Sequence, residues 1–245
     1  MAVTFVGASS LVNSGTTPQI DITSFTTPVG EYILIAVIIN KDLISIITPP
    51  DGTWTEVIQG INDCTTAADD HVYAIYWKRV TADDGGDVYS FFKDIDDNKC
   101  FAGCILTFTG AISSGDILDA AGVGVTETAA AADNVSFPAF DPVEINSHIV
   151  FVAFYGNDQT SYSAAMSSDT NPDCTIRVDF ETGTGTDASI AVTSGDTTDG
   201  SNIAARTWAS NSTTNAGNTG VVLAIKPEPV AAATARLLAL MGVGQ

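Results

Sequence analysis

Two histidines, His71 and His148, are the side chains of this chain best suited to general acid–base chemistry near neutral pH. A hydrolase would place one of them beside a nucleophilic serine and an orienting carboxylate. Both adjoin apolar runs, which is typical of strand residues and not of general bases. The sequence also lacks a Gly-x-Ser-x-Gly elbow and a phosphate-cradling glycine loop. We therefore predict a protein without enzymatic activity and without a cofactor.

Metal binding is weakly supported. The run Asp94–Asn98 begins like a calcium loop, but Lys99 stands where such a loop needs glycine and Ile105 where it needs a carboxylate. Solvated acids in a turn are the better interpretation. A calcium site in a loop remains an alternative without further support, and it would use Asp83, Asp84 and Asp87.

The cysteines form no CxxC pair and have no histidine cluster nearby, which disfavours zinc. On one strand, Cys100 and Cys104 would share a face about 13 Å apart, too far to bridge each other. Buried free thiols are the favoured interpretation and disulfides the minority one, for Cys64, Cys100, Cys104 and Cys174.

Four aromatic residues could form a platform that stacks on sugar rings: Trp54, Tyr76, Trp77 and Trp208. Aromatic residues on the strands of a sandwich more often pack in the core. Core placement is therefore the favoured interpretation.

The charge balance excludes several partners. The chain has 29 acidic and 9 basic residues and a net charge of −20. Such a surface repels phosphate backbones and anionic membranes, so we expect neither nucleic acid nor membrane as a partner. The segment Met1–Gly7 lacks the basic start and apolar region of a signal peptide. The run Ile33–Ile39 is too short to cross a bilayer, so we expect a soluble protein made in a cytoplasm.

Residues 28–110 and 142–226 repeat one pattern. Each segment opens with Pro-Val, at Pro28 and Pro142, and continues into an apolar run, Ile33–Ile39 or Ile149–Phe154. Each closes on a strand that ends at a breaker. A repeat of this kind predicts a duplicated β-unit stacked on itself.

Short segments rich in Val, Ile, Thr and aromatic residues recur between turn signals, which predicts an all-β sandwich of jelly-roll type. We predict a β-sandwich over residues 1–226, with half repeats of about 1–111 and 112–226. The Ala- and Gly-rich stretch Asp116–Asp133 is predicted to link them. Further predicted strands are Thr4–Ala8, Gln19–Thr23, Leu43–Thr48, Trp54–Ile58, Val72–Val80, Val88–Phe92, Gly103–Thr109, Ser189–Thr193, Ile203–Trp208 and Gly220–Ile225.

Residues 227–245 differ from the rest of the chain. A Pro-rich spacer precedes Ala231–Met241, which is rich in helix-forming Ala and Leu and predicts a short C-terminal helix. Its apolar residues cover more than one stripe, so a free helix would expose a large apolar surface. The helix either caps its own sandwich or binds another chain. The second alternative assigns the partner or oligomer interface to Leu237, Leu238, Leu240 and Met241.

The stretch Pro28–Gly86 resembles a loose family of β-sandwich proteins found in tailed-phage virion gene clusters and in bacteria. Members have an apolar strand after a Gly-Asp-like turn, a Pro-x-Gly-Trp turn, and a Tyr/Trp-rich strand ending in Arg-Val. Gly30-Glu31 stands where the family often has Gly-Asp, and the Pro-x-Gly-Trp turn has one extra residue. The matching residues are Pro50, Gly52, Trp54, Tyr76, Arg79 and Val80.

The resemblance extends over most of residues 3–226 and implies a component of the virion surface, with no catalytic residues. We expect a capsid decoration, cement or fibre protein on the outer shell, assembled in the host cytoplasm. Its expected partners are the major capsid protein or another virion protein, and copies of itself, with a trimer favoured. The alternative is a carbohydrate-binding adhesion module at a tail or fibre tip.

Overall fold

The computed structural model describes residues 2–14, 17–25, 32–41, 46–80, 86–94, 99–132, 134–157, 166, 172–181, 188–197, 202–209 and 216–229. Within these residues the fold is all-β, as predicted, with one 3-10 turn at Ala67–Asp69. No helix among them has the length and apolar character needed to cross a membrane. The strands are β1 (Thr4–Ala8), β2 (Val12–Ser14), β3 (Gln19–Thr23), β4 (Tyr32–Asn40), β5 (Ile47–Thr48), β6 (Thr55–Asn62), β7 (His71–Val80), β8 (Val88–Lys93), β9 (Phe101–Thr109), β10 (Leu118–Ala132), β11 (Asn134–Phe137), β12 (His148–Tyr155), β13 (Thr175–Glu181), β14 (Ser189–Asp196), β15 (Arg206–Ala209) and β16 (Ala216–Ile225).

The large sheet of the first half has the order β1-β9-β4-β7-β6, and β2 joins it by pairing with β9. Its central strand, β4, contains the run Ile33–Ile39 and is buried along its whole length. Odd-numbered residues of this run pack toward the second half of the chain, and even-numbered ones pack against a smaller sheet, β3-β8-β5. Because both faces are covered, the run is apolar throughout and does not alternate.

The second half repeats this strand order. Its large sheet is β10-β16-β12-β14-β13, and a smaller sheet, β11-β15, covers its outer face. Strand β12 has the central position and contains the run Ile149–Phe154, which is also buried on both faces. In the first half, β1-β9-β4-β7 opposite β3-β8-β5 follows the order of a jelly roll. The predicted duplicated sandwich is thus confirmed, and the two predicted apolar runs have equivalent central positions.

The two large sheets pack face to face, which gives four layers and three cores. At the edges of this interface, β1 lies against β13 and β10 lies against β6. Because β1 corresponds to β10 and β6 to β13, these two contacts are equivalent. The halves therefore meet as the subunits of a twofold dimer do, through the same surface on each side.

The prediction that Asp116–Asp133 links the halves is wrong. Most of this stretch is the edge strand β10, which pairs with β16. Its small residues give little intrinsic β signal, but the pairing with β16 and the packing of Val123 and Val125 on the central core fix it as a strand. At Gly124 a small residue is required because neighbouring side chains approach the strand closely. A Cβ atom at Gly124 would lie 2.8 Å from both Pro138 and Val222.

The first residues of the predicted spacer are part of the sandwich. Pro227 forms a bridge with Ala111, and the N–H of Glu228 donates a hydrogen bond of 2.8 Å to the carbonyl of Gly110. Pro227 and Glu228, which follow the predicted boundary at 226, therefore also contact the sandwich. Strand β9 ends at Thr109 and β10 begins at Leu118, so the halves meet between them, and the exact boundary between 111 and 112 stays a prediction. The predicted helix Ala231–Met241 lies outside the described residues.

Candidate functional site

The second histidine of the chain lies in an arrangement that resembles a catalytic triad. Nδ1 of His148 lies 2.5 Å from Oδ1 of Asp196, and Nε2 lies 2.9 Å from Oγ of Ser194. The three residues come from the paired strands β12 and β14, in which His148 is directly opposite Asp196. A serine hydrolase uses the same three groups as base, orienting acid and nucleophile.

The burial of these groups is the reverse of what hydrolysis requires. Ser194 is fully buried, whereas the side chain of Asp196 is 56% exposed. In a hydrolase the serine faces the substrate and the carboxylate lies buried behind the histidine. The hydroxyl of Ser194 also accepts a hydrogen bond of 3.0 Å from Nε of Arg177. This cluster therefore supports the structure, because Ser194 is not accessible as a nucleophile. The prediction that His148 is a strand residue is confirmed.

Aromatic contacts make the same cluster part of the interface between the halves. The rings of His148 and Phe108 meet edge to face with centroids 5.3 Å apart. Cζ of Arg177 lies 4.7 Å from the ring centroid of Phe5, within the range of a cation–π contact. Each contact joins a strand of one half to a strand of the other.

His71 is fully buried at the opposite edge of this interface. Its Nδ1 donates a 3.0 Å hydrogen bond to the carbonyl of Asp69, and its Nε2 accepts one of 3.0 Å from the hydroxyl of Thr219. Asn62 donates to the same hydroxyl oxygen over 3.2 Å and to the carbonyl of Asn218 over 2.9 Å. Burial lowers the pKa of His71 to about 4, so the ring is neutral near pH 7. It acts as a fixed link between the halves.

The thiols of Cys64 and Cys104 are poorly reactive near neutral pH. Burial, followed by the charges of nearby carboxylates led by Asp70, raises the pKa of Cys64 to about 12. Burial alone raises the pKa of Cys104 to about 12. A thiol with such a pKa is almost entirely protonated near pH 7 and is a poor nucleophile. All four cysteines are free, as predicted, and of these Cys174 is the one that is partly exposed.

The aromatic platform, the alternative to core placement, does not form. Trp54, Tyr76 and Trp208 are each at most 6% exposed. Trp77 is partly buried against the central core, and Cζ of Arg79 lies 5.8 Å from its ring. Core placement, the favoured interpretation, is therefore confirmed for three of the four residues.

The described residues contain no group of three or more His, Cys, Asp or Glu side chains that could hold a metal ion. Asp94 instead accepts a hydrogen bond of 2.8 Å from the main-chain N–H of Ile46. The rest of the calcium-like run, and two of the three acids of the alternative loop site, Asp83 and Asp84, lie outside the described residues.

The most exposed large apolar side chains of the described residues lie together in the turn before β12. Val143 is 64% exposed and Ile145 is 61% exposed. Asn146 follows them with a φ of 65°, a left-handed conformation that asparagine tolerates better than most residues do. A contiguous exposed apolar patch is typical of a surface that binds another molecule, whereas single exposed apolar residues are common.

A buried carboxylate fixes this turn. Asp119, at 2% exposure, accepts main-chain hydrogen bonds from Val143 over 3.0 Å and from Glu144 over 2.8 Å. It also accepts one of 3.0 Å from the hydroxyl of Ser147. The turn is thereby held in one conformation before any partner arrives, which lowers the entropic cost of binding.

An open cavity of about 330 Å³ lies beside the turn. Its lining combines the side of Ile145 with Ile112 and with the segment Lys226–Pro229. This volume is at the lower end of the range for binding cavities. We call the turn and the cavity together the docking end, defined by Ile112, Val143, Glu144, Ile145, Pro227, Glu228 and Pro229.

The predicted interface residues follow the docking end in sequence. Leu237, Leu238, Leu240 and Met241 lie outside the described residues, so their assignment stays a prediction. Pro229, the last described residue before them, lines the cavity. The sequence interpretation missed the exposed turn because Pro142-Val143 looked like the entry to a strand. An available signal was the acidic and polar residues on both sides of Val143 and Ile145, which make a buried strand improbable.

Replacing Asp119 with alanine is expected to lower the free energy of unfolding by about 1–3 kcal/mol, because three donors lose a buried acceptor. Urea unfolding measures this loss. Asp116→Ala is the matched control, since exposed Asp116 accepts one local hydrogen bond, from the N–H of Leu118. Equal losses in the two variants would contradict the role assigned to Asp119.

Comparison with known proteins does not place the chain in a family: no family model, no curated protein and no solved structure matches it.

Proposed function

We propose that this protein is a non-enzymatic structural component of a tailed-phage virion, a decoration or cement protein on the outer face of the capsid. The observation that carries the proposal is the docking end. There Val143 and Ile145 expose apolar surface near Pro229, the last described residue before residues 230–245. We propose that this end attaches the protein to the shell, with Leu237, Leu238, Leu240 and Met241 in its contacts with the major capsid protein or a sister subunit.

The use of polar residues inside the fold supports a structural role. His71, Asn62 and Thr219 link the halves by hydrogen bonds at one edge of their interface. At the other edge, His148 and Arg177 link them through contacts with the rings of Phe108 and Phe5. The groups best suited to catalysis are therefore engaged in holding the double sandwich together. A rigid body that carries an exposed apolar turn suits a protein that stands on a shell.

The charge supports the outer face. With a net charge of −20, the protein would be repelled by packaged DNA, so a position inside the capsid is disfavoured. A strongly acidic surface also keeps a protein displayed in many copies soluble. The proposal includes assembly in the host cytoplasm, the major capsid protein as partner and a homo-oligomer, with a trimer favoured.

The alternative, a carbohydrate-binding adhesion module, loses its main sequence argument. An aromatic platform stacks on a sugar only if its rings face solvent. Trp54, Tyr76 and Trp208 are buried, so they cannot form that platform without unfolding.

The attachment can be tested by binding to purified capsids of the phage that encodes the chain. We expect the full chain to cosediment with capsids and a truncation after Pro229 to lose at least about a hundredfold in affinity. Burying each large apolar side chain contributes about 1.5–3 kcal/mol, so losing several exceeds that factor. The truncation leaves the hydrogen bonds of Glu228 in place.

A second variant tests the turn itself. The double change Val143→Thr and Ile145→Thr should weaken capsid binding by about tenfold or more, since it removes apolar contact from exposed positions. Val88→Thr is the matched control, because Val88 is 57% exposed on the separate sheet β3-β8-β5. Capsid binding that survives both the truncation and the double change would overturn the proposed attachment. Glycan-array binding without capsid binding would favour the adhesion module.

A further inference from the structure

We infer that the cavity of the docking end receives the C-terminal segment 230–245 of a second copy of this chain. The inference deepens the proposed function, since it rests on the same docking end, and it names the occupant of the cavity. It assigns the contact between copies to a tail of one subunit and a cavity of the next.

The wall of the cavity explains why the occupant comes from another copy. Pro227 and Pro229 line the cavity, and Glu228 between them is held by hydrogen bonds to Gly110 and Ser113. Pro229, the last described residue before the tail, therefore lies at the rim of the cavity. If the predicted helix begins directly after Pro229 and points away from the cavity, it carries Leu237 about 12 Å and Met241 about 18 Å from Pro229. These side chains then cannot reach the cavity of their own subunit.

Charge complementarity supports the same occupant. Arg236 is the one charged side chain between residues 230 and 245. The cavity is lined by the carboxylate residues Glu144 and Glu228, with Lys226 as the basic residue beside them. Two bodies of net charge −20 repel each other, and a tail without acidic side chains can approach a neighbour with the least repulsion.

The apolar surfaces also match. The tail offers leucines, and the docking end offers Ile112, Ile145 and the proline rings as an apolar lining. Tail into cavity joins different surfaces on the two copies, so it is a heterologous contact. Repeated around an axis, such contacts close into a ring, which agrees with the trimer favoured in the proposed function.

The test uses the full chain and three variants. Ile145→Asp places a charge in the cavity, and Leu238→Asp places one in the tail. Val88→Asp is the matched control at a similarly exposed position elsewhere. Sedimentation velocity should show a concentration-dependent oligomer for the wild type and for Val88→Asp. The variants Ile145→Asp and Leu238→Asp should each weaken self-association by at least about tenfold.

Mixing the two defective variants distinguishes exchange between copies from folding back within one copy. The Ile145→Asp chain keeps an intact tail and the Leu238→Asp chain an intact cavity. The mixture should therefore form a heterodimer, seen by energy transfer between differently labelled chains. A monomeric wild type, unchanged association in either variant, or a mixture that stays monomeric would overturn the inference. A monomer that still coats capsids would overturn the contact between copies and leave the virion role standing. An oligomer that does not bind capsids would overturn the virion role and leave the contact between copies standing.

Discussion

Replacing Trp54 with alanine is expected to lower the free energy of unfolding by about 3–5 kcal/mol, as for other large buried aromatic residues. Trp54 is 6% exposed and packs edge to face on Tyr89 and Phe91, with ring centroids 5.2 Å away in both cases. It fills the core between the large and the small sheet of the first half. Its removal leaves a cavity that the surrounding strands cannot close, because each is fixed by its neighbours.

The turn that precedes Trp54 explains its position. The side chain of Asp51 accepts a hydrogen bond of 2.8 Å from the N–H of Thr53, so the Pro-Pro-Asp-Gly sequence reverses the chain tightly. Trp54, two residues after this turn, then points into the core. Trp54→Phe is the matched control and should cost about 1.5 kcal/mol or less, since Nε1 of Trp54 has no hydrogen-bond partner among the described residues.

Denaturant unfolding of both variants, followed by circular dichroism, measures these losses. A loss below about 1 kcal/mol for Trp54→Ala would mean that the ring is not part of the core. Equal losses for Trp54→Ala and Trp54→Phe would mean that the size of the ring is not what matters.

Acidification is expected to destabilise the fold through His71 by about 3 kcal/mol between pH 6.5 and pH 4. Burial lowers the pKa of His71 in the folded state to about 4, below its ordinary value of 6.5. The unfolded chain therefore binds a proton through this window and the folded chain does not. Stability is complete above pH 6.5 and falls as the pH drops toward 4.

The variant His71→Gln isolates this contribution. Glutamine can donate to the carbonyl of Asp69 and accept from Thr219, but it does not titrate. Unfolding free energies measured from pH 7 to pH 4 should fall less steeply in the variant, by about 3 kcal/mol over the range. Burial raises the pKa of Asp69, which acts in the opposite direction, but that contribution is present in both proteins and cancels in the comparison. Parallel curves would contradict the buried, neutral state of His71.

Much of the fold could be predicted because burial on two faces leaves a strong mark on sequence. The central strands β4 and β12 are continuous apolar runs, and the repeated spacing around them reveals the duplication. In β3, Ile20 and Ile22 alternate with polar residues and lie on one buried face. These patterns depend on local sequence alone.

What could not be predicted depends on contacts between distant residues. Strand β10 is made of small residues that its partner β16 and the close approach at Gly124 require, and neither is visible locally. The cluster of His148 and Ser194 forms across two neighbouring strands, so its geometry depends on their register. The docking end combines Ile112, Ile145 and Pro229 from separate parts of the chain.

The position of the protein on the particle tests the central proposal most directly. Electron microscopy of virions labelled with an antibody against this protein distinguishes the shell from the tail. The proposed function predicts label distributed over the outer surface of the capsid, and its loss from virions carrying the chain truncated after Pro229. Label confined to the tail tip, or virions without any label, would contradict it.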